Sequence, residues 1–312
     1  MWITRVAGNI IDRVVERVQY ASRRGARDQR NADPLAYWMA SNNDLKDLAY
    51  PGFYFDFVRE WVEDMHFDVR ELKSIPDPVD HTAIRYCTLL DTLRSRIPVE
   101  PFSVAHTVAI AADRLLARRD PIEFATWHAD IGLHFFISSS FARKGRLLQA
   151  VVRLMRPQRY LELGTAYGMS ALFVGLAMEM IDGSCSIVTV ELGSSQHQVA
   201  NGLLGSQFGD KAECHLADAQ STLTLLAKQS RRFDFLFHDA GHSYDDYVND
   251  FQLAQQMMVP GAICLIDDIY WSDSRFHQAP PRCHEGWLEV VAHPRVRAAA
   301  ELDHGIGILL LH

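Results

Sequence analysis

The sequence lacks three things, and each absence narrows what the chain can be. Its five cysteines (Cys87, Cys185, Cys214, Cys264, Cys283) are widely spaced and never form a C-x-x-C pair. That speaks against a disulfide framework or a structural zinc site and fits a reducing compartment, with the cytoplasm as the default expectation. No run approaches the ~18 to 20 apolar residues that would span a bilayer, so no membrane is expected. A basic excess is also missing: the formal net charge is -8, with acid in excess in both halves. Such a surface repels a phosphate backbone, which excludes nucleic acid as the expected partner. The first thirty residues hold seven Arg, but Asp12, Glu16 and Asp28 interrupt them, and they read as a solvated amphipathic helix and not as a transit peptide.

What is present suits a globular enzyme. Of 312 residues, 48% are hydrophobic and 22% charged, enough for a large core in one domain of ordinary size plus a substantial extension. Texture changes near residue 140. Residues 1–140 carry helix-period patterns at Val6–Val18, Phe53–Val62, Thr82–Leu93 and Val104–Leu116, punctuated by Pro34, Pro51-Gly52, Pro76 to Pro78 and Pro98 to Pro101. They read as a helical extension, a lid or a homodimer interface. Its aromatic cluster Phe53, Tyr54, Phe55, Phe57 and Trp61 reads first as core and otherwise as part of that lid or interface.

Residues 141–312 alternate short apolar runs with helix-length amphipathic segments, the pattern of a parallel sheet with crossover helices. The runs are Tyr160–Leu163, Ile187–Val190, Glu213–Leu216, Phe233–Phe237 and Ala262–Ile266, then Arg297–Leu302 and Ile306–Leu311. Only Asp303 to Gly305 separates the last two, too little for a crossover helix, so they form an antiparallel hairpin. The expected fold class is therefore α/β, five parallel strands plus a terminal antiparallel hairpin, with the helical extension before it.

The loop after the first of these strands reads Glu162-Leu-Gly164-Thr-Ala-Tyr-Gly168 and runs directly into a helix at Met169–Met180. Glycine at 164 and 168 lets backbone approach a ligand and lets the helix pack on the strand. The spacing fails the G-x-G-x-x-G fingerprint, and Glu162 would repel a pyrophosphate but suits an ammonium. The second strand ends in Glu191, where such folds place an acid that accepts from both ribose hydroxyls; alternatively it caps the helix after Ser194-Ser195. The third ends in Asp218-Ala219-Gln220, which would edge an adenine, with an N-cap as the other reading of Asp218.

Arg159-Tyr-Leu-Glu-Leu-Gly-Thr-Ala-Tyr-Gly-Met-Ser170, Val188-Thr-Val-Glu191 and Phe235-Leu-Phe-His-Asp-Ala-Gly-His-Ser-Tyr244 resemble successive motifs of class I S-adenosylmethionine-dependent methyltransferases. The resemblance covers roughly residues 140–312 and implies a Rossmann-like methyltransferase sheet. It implies S-adenosyl-L-methionine held by Glu162, Gly164, Tyr167, Gly168, Ser170, Glu191, Asp218, Ala219, Gln220 and Asp239. In that class the fourth and fifth strands are neighbours, so Asp239 and the pair Asp267-Asp268 converge, a costly cluster unless a cation neutralises it. Hard oxygen donors favour Mg²⁺, with Ca²⁺ or Mn²⁺ as substitutes. The pattern is similar to catechol and caffeoyl-coenzyme A O-methyltransferases and to antibiotic sugar O-methyltransferases. The catechol and caffeoyl branch places a basic lysine three residues past its first metal ligand; here that position is His242, still able to take a proton near neutral pH.

These readings converge on an O-methyltransferase acting on a small-molecule hydroxyl, a phenol or a sugar of a secondary metabolite. The metal would be held by Asp239, Asp267 and Asp268, with His242 as base and Asp239 beside it. The rivals are a metal-independent N- or O-methyltransferase and a catalytically silent S-adenosylmethionine-binding module. His238 alternates to the opposite strand face and is expected to be structural. Cys283, His284 and His277 have the wrong spacing for zinc, so Trp271–Gly286 is expected as a loop over the acceptor pocket.

Overall fold

The computed structural model describes residues 65–97, 141–183, 185–272 and 280–312. The chain divides into two compact units, and the second, His66–Ile97 with Leu147–His312, contains the whole sheet. Of the first unit, Met1–Met65 with Pro98–Arg146, only Met65 and residues 141–146 are described. The patterns at Val6–Val18, Phe53–Val62 and Val104–Leu116, the aromatic cluster and His277 therefore lie outside the described residues.

Eight strands form one sheet: β1 (Val69–Lys73), β2 (Arg159–Leu163), β3 (Ser186–Glu191), β4 (Ala212–Leu216), β5 (Phe233–His238), β6 (Met258–Ile266), β7 (Val296–Leu302) and β8 (Ile306–Leu311). Their spatial order is β1-β7-β8-β6-β5-β2-β3-β4. β2 to β6 are mutually parallel, and β8 returns antiparallel against both β6 and β7. Asp303–Gly305 makes a single 3₁₀ turn between β7 and β8, as the three-residue gap requires.

The described helices are α1 (His81–Ser95), α2 (Phe141–Met155), α3 (Met169–Asp182), α4 (Ser194–Phe208), α5 (Ala219–Lys228), α6 (Tyr244–Ala254) and α7 (Cys283–Ala292). Apolar stripes bury α5, α6 and α7 against the sheet. Leu223, Leu226, Tyr247, Phe251, Trp287 and Val290 pack on one face, against Leu161, Leu163, Val188, Leu236, Ile266 and Leu309. On the opposite face α3 and α4 meet over Ile187, where a Cβ at Gly175 would strike both Ile187 and Phe208. Among the described residues no helix is long and apolar enough to cross a membrane.

Two local expectations change. The helical reading of residues 1–140 holds for α1, but β1 lies in the same stretch and edges the sheet, antiparallel to β7 with Val69 opposite Leu302. The stretch Trp271–Gly286 is not loop throughout, because α7 begins at Cys283.

Candidate active site

The parallel order brings the carboxyl ends of β2, β3, β5 and β6 to one rim of the sheet, where open α/β folds bind their ligands. The glycine loop leaves β2 there. Gly164 (φ +86°), Ala166 (φ +44°) and Gly168 (φ +87°) all adopt left-handed backbone, which folds the loop sharply back before α3 starts. Gly164 and Thr165 donate their N–H groups to the Val190 carbonyl at 2.9 and 3.1 Å. α3 opens at Gly168 with no side-chain cap, so its first N–H groups are suited to an outside acceptor.

Glycine at 164 is required by the protein before any ligand arrives. A Cβ there would lie 2.6 Å from the Asp239 carbonyl carbon and 2.9 Å from the Ala240 nitrogen. The loop after β2 thus presses on the backbone after β5, which Asp239 N–H also ties to Leu163 O at 2.8 Å.

Glu162 does not sit at the loop's mouth. It is fully buried within β2, in register with Thr189 and Phe237, and its carboxylate accepts the hydroxyl of Ser170 in the first turn of α3. It braces the loop from beneath. Tyr167 is half-buried in the loop itself.

Glu191 is a clasp. One carboxylate oxygen accepts Ala166 N–H at 2.7 Å and the other accepts Gly193 N–H at 2.7 Å, so the glycine loop and the turn after β3 share one anion. α4 itself starts behind Gly193 without a side-chain cap. Asp218 is exposed and caps α5, accepting Ser221 N–H at 2.8 Å. The Ser221 hydroxyl and N–H hold its carboxyl below the usual carboxylate range. Ala219 and Gln220 open that helix.

At the ends of β5 and β6 the structure gathers Asp239, His242 and Asp268, whose ligand atoms all lie within 4.8 Å of one another. His242 Nε2 is 2.9 Å from Asp268 Oδ2, and its ring packs 5.0 Å from that of Trp271. Burial opposes charge on His242. The hydrogen bond to Asp268 and the negative charges of Asp268, Asp239 and Asp267 outweigh it and raise the imidazole above its ordinary value.

This set departs from the expected trio of aspartates. Asp267 is not in the cluster; it is buried, its N–H bonds the His238 carbonyl, and its carbonyl accepts the Tyr247 hydroxyl at 2.6 Å. Asp268, at φ +55°, is the one that turns to His242. Aspartate is among the few side chains that tolerate this conformation. Two carboxylates and an imidazole at this separation fit a divalent cation, and the nitrogen donor admits Mn²⁺ alongside Mg²⁺.

The remaining histidines divide by environment. His238 is buried, and its Nε2 meets Asp250 Oδ2 of α6 at 3.0 Å, the structural role expected of it. Asp250→Ala would strand that ring nitrogen, and chemical denaturation is expected to register a loss of about 1–3 kcal/mol; unchanged stability would mean the histidine satisfies itself otherwise. Cys283 is buried at the start of α7, where burial pushes its thiol up to about 11. His284 turns to Glu301 at 2.9 Å. Sequence reasoning missed the roles of Trp271 and Glu301; the Tyr-Trp pair one residue past the two aspartates was the available signal for the first.

Residues 161–269 match a family described as methyltransferase domain. Among solved structures, the chain is similar to a candidate O-methyltransferase from Klebsiella pneumoniae, at 19% identity over 72% of this chain and 95% of that one, with a TM-score of 0.50. It is also similar to an O-methyltransferase from Bacillus cereus in complex with SAH (19% identity, 65% and 96% covered, TM-score 0.49). A third is the O-methyltransferase TomG from Streptomyces achromogenes, involved in tomaymycin synthesis, in complex with SAM (22% identity, 66% and 96% covered, TM-score 0.48).

Proposed function

We propose that the chain, whose residues 161–269 match a family described as methyltransferase domain, transfers the methyl group of S-adenosyl-L-methionine to a hydroxyl of a small molecule. The acceptor is a phenol or sugar hydroxyl of a secondary metabolite, met at Asp239, His242 and Asp268. The observation that carries this reading is the contact of Gly164 with the Asp239 backbone. It sets the loop that would hold the methyl donor against the cluster that would hold the acceptor, with no intervening layer.

In this reading Gly164, Tyr167, Gly168 and Ser170 frame the methionyl end. Each oxygen of Glu191 carries one N–H and keeps lone-pair capacity for the ribose hydroxyls. Asp218, Ala219 and Gln220 edge the adenine, and Glu162 acts through Ser170. The sulfonium C–S bond breaks as the new O–C bond forms, and the chain's task is alignment. Asp239 and Asp268 orient the hydroxyl, and its proton leaves to His242 where no cation occupies that ring, or to solvent where one does. A divalent cation at Asp239, His242 and Asp268 would supply Lewis-acid lowering of that hydroxyl's pKa.

A second reading needs no cation: the 2.9 Å bond between His242 and Asp268 is also the arrangement of a base oriented by a carboxylate. Turnover of S-adenosylmethionine against a panel of catechols and hydroxylated sugars, in excess chelator and after Mg²⁺ is returned, separates the two. We expect loss and recovery. Full activity in chelator selects the second reading, and calorimetric binding of S-adenosylmethionine without turnover of any acceptor rejects both.

A further inference from the structure

Behind the cluster lies a second polar centre that the proposed chemistry does not use. Glu301, near the end of β7, is 2% exposed, a burial that disfavours a carboxylate strongly unless its oxygens are satisfied. They are. Oε1 accepts both His284 Nε2 and Trp287 Nε1 from α7, each at 2.9 Å. Oε2 accepts the Tyr270 hydroxyl at 2.8 Å, with Arg70 Nε of β1 at 3.5 Å. Burial pushes the carboxyl up, but the bonds from His284, Tyr270 and Trp287 and the Arg70 charge outweigh it and hold it below its usual range.

The donor that matters is Tyr270, two residues beyond Asp268. The turn joining them is pinned at its main chain by Ile269 N–H to the Gly305 carbonyl and Trp271 N–H to the Asp268 carbonyl, both 2.8 Å. Its outer side chain is pinned by Glu301, with the Tyr270 ring stacked 4.8 Å from that of His284. Asp268 holds left-handed backbone within this turn, a conformation of sparse population that persists where its surroundings over-determine it. Tyr270, alone of Glu301's partners, belongs to the turn that presents a candidate ligand.

We propose that Glu301 is a positioning residue that acts through Tyr270 to hold Asp268 at the angle from which it binds a divalent cation together with Asp239 and His242. The proposal rests on the metal-assisted reading above. Glu301→Gln keeps the shape but offers one oxygen and one donor group to donors on both sides, so one pair must break. Tyr270→Phe removes the single link and leaves the other bonds to Glu301 in place.

The test is Mn²⁺ titration of the whole protein followed by electron paramagnetic resonance, without S-adenosylmethionine or acceptor, alongside thermal unfolding. Both variants are expected to bind Mn²⁺ about 10- to 100-fold more weakly than wild type. The double variant should be no worse than the poorer single one. Asp234→Ala is the control for lost stability: Asp234 bonds the Gln158 and Arg159 N–H groups at the far end of β5, so its loss should lower Tm and leave Mn²⁺ affinity alone. Wild-type affinity in Tyr270→Phe overturns the positioning role while the metal reading stands. Absence of Mn²⁺ binding by the wild type overturns both.

Discussion

Gly164→Ala is expected to lose most affinity for S-adenosylmethionine and to unfold at a markedly lower temperature. Two costs add. An alanine at φ +86° pays about 1–2 kcal/mol for left-handed backbone, and its methyl group would overlap the Asp239–Ala240 peptide. Overpacking of this kind costs typically about 1–3 kcal/mol, and here the obstacle is main chain that cannot rotate aside. Together they amount to about 2–5 kcal/mol, roughly 5–15 °C in Tm for a unit of this size. Gly168→Ala is the comparison. Its Cβ would meet Ala200 Cα and Cβ at 3.2 and 3.3 Å and Leu204 Cγ at 3.5 Å, tight contacts that need only a few tenths of an ångström of give, so it should be the milder variant. Calorimetric titration and scanning calorimetry on the pair give the ranking, and a Gly164→Ala protein with wild-type Tm would mean that the loop after β5 is soft.

The second large effect is expected at Asp239. Asp239→Asn preserves shape and removes the charge that faces His242 and Asp268. If the cluster activates the acceptor, the loss of several kcal/mol of stabilisation corresponds to a fall of at least about 10³ in kcat, with S-adenosylmethionine affinity within about tenfold of wild type. Asp267→Asn sets the contrast. Its main-chain bonds to His238 and Tyr247 survive the substitution, and its side chain lies outside the cluster, so turnover should fall far less. Should the two aspartates rank the other way, the acceptor site is built on Asp267.

These two residues also mark what could be read from the sequence. Strong apolar runs at Tyr160–Leu163 and Phe233–Phe237 became β2 and β5 within a residue of their expected ends, because parallel strands covered on both faces must be apolar throughout. The terminal hairpin followed from a three-residue gap. β1 was not legible: Val-Arg-Glu-Leu-Lys is a short, charged edge strand with mostly exposed side chains, and nothing local separates it from a turn. The clustering of Asp239 with the pair after β6 followed from strand adjacency. Which aspartate of the pair would join it depended on the φ of residue 268, and the imidazole entered the cluster through the turn at Gly241 (φ +54°). Glu162 is buried in β2 and accepts the Ser170 hydroxyl, a burial that the loop's motif does not signal.

The edge strand β1 carries a further consequence. Asp68 N–H bonds the Asp303 carboxylate across 235 residues of chain, so β1 cannot find its ladder until β7 has formed, and closing so long a loop is slow. Between the formation of β7 and the arrival of β1, the folding protein presents β7, with its alanine run Ala298–Ala300, as an unguarded margin. A fragment begun at residue 141 would keep that margin permanently and would tend to self-associate along it. Such a fragment is therefore expected to elute as larger species in gel filtration than one that keeps residues 66–97.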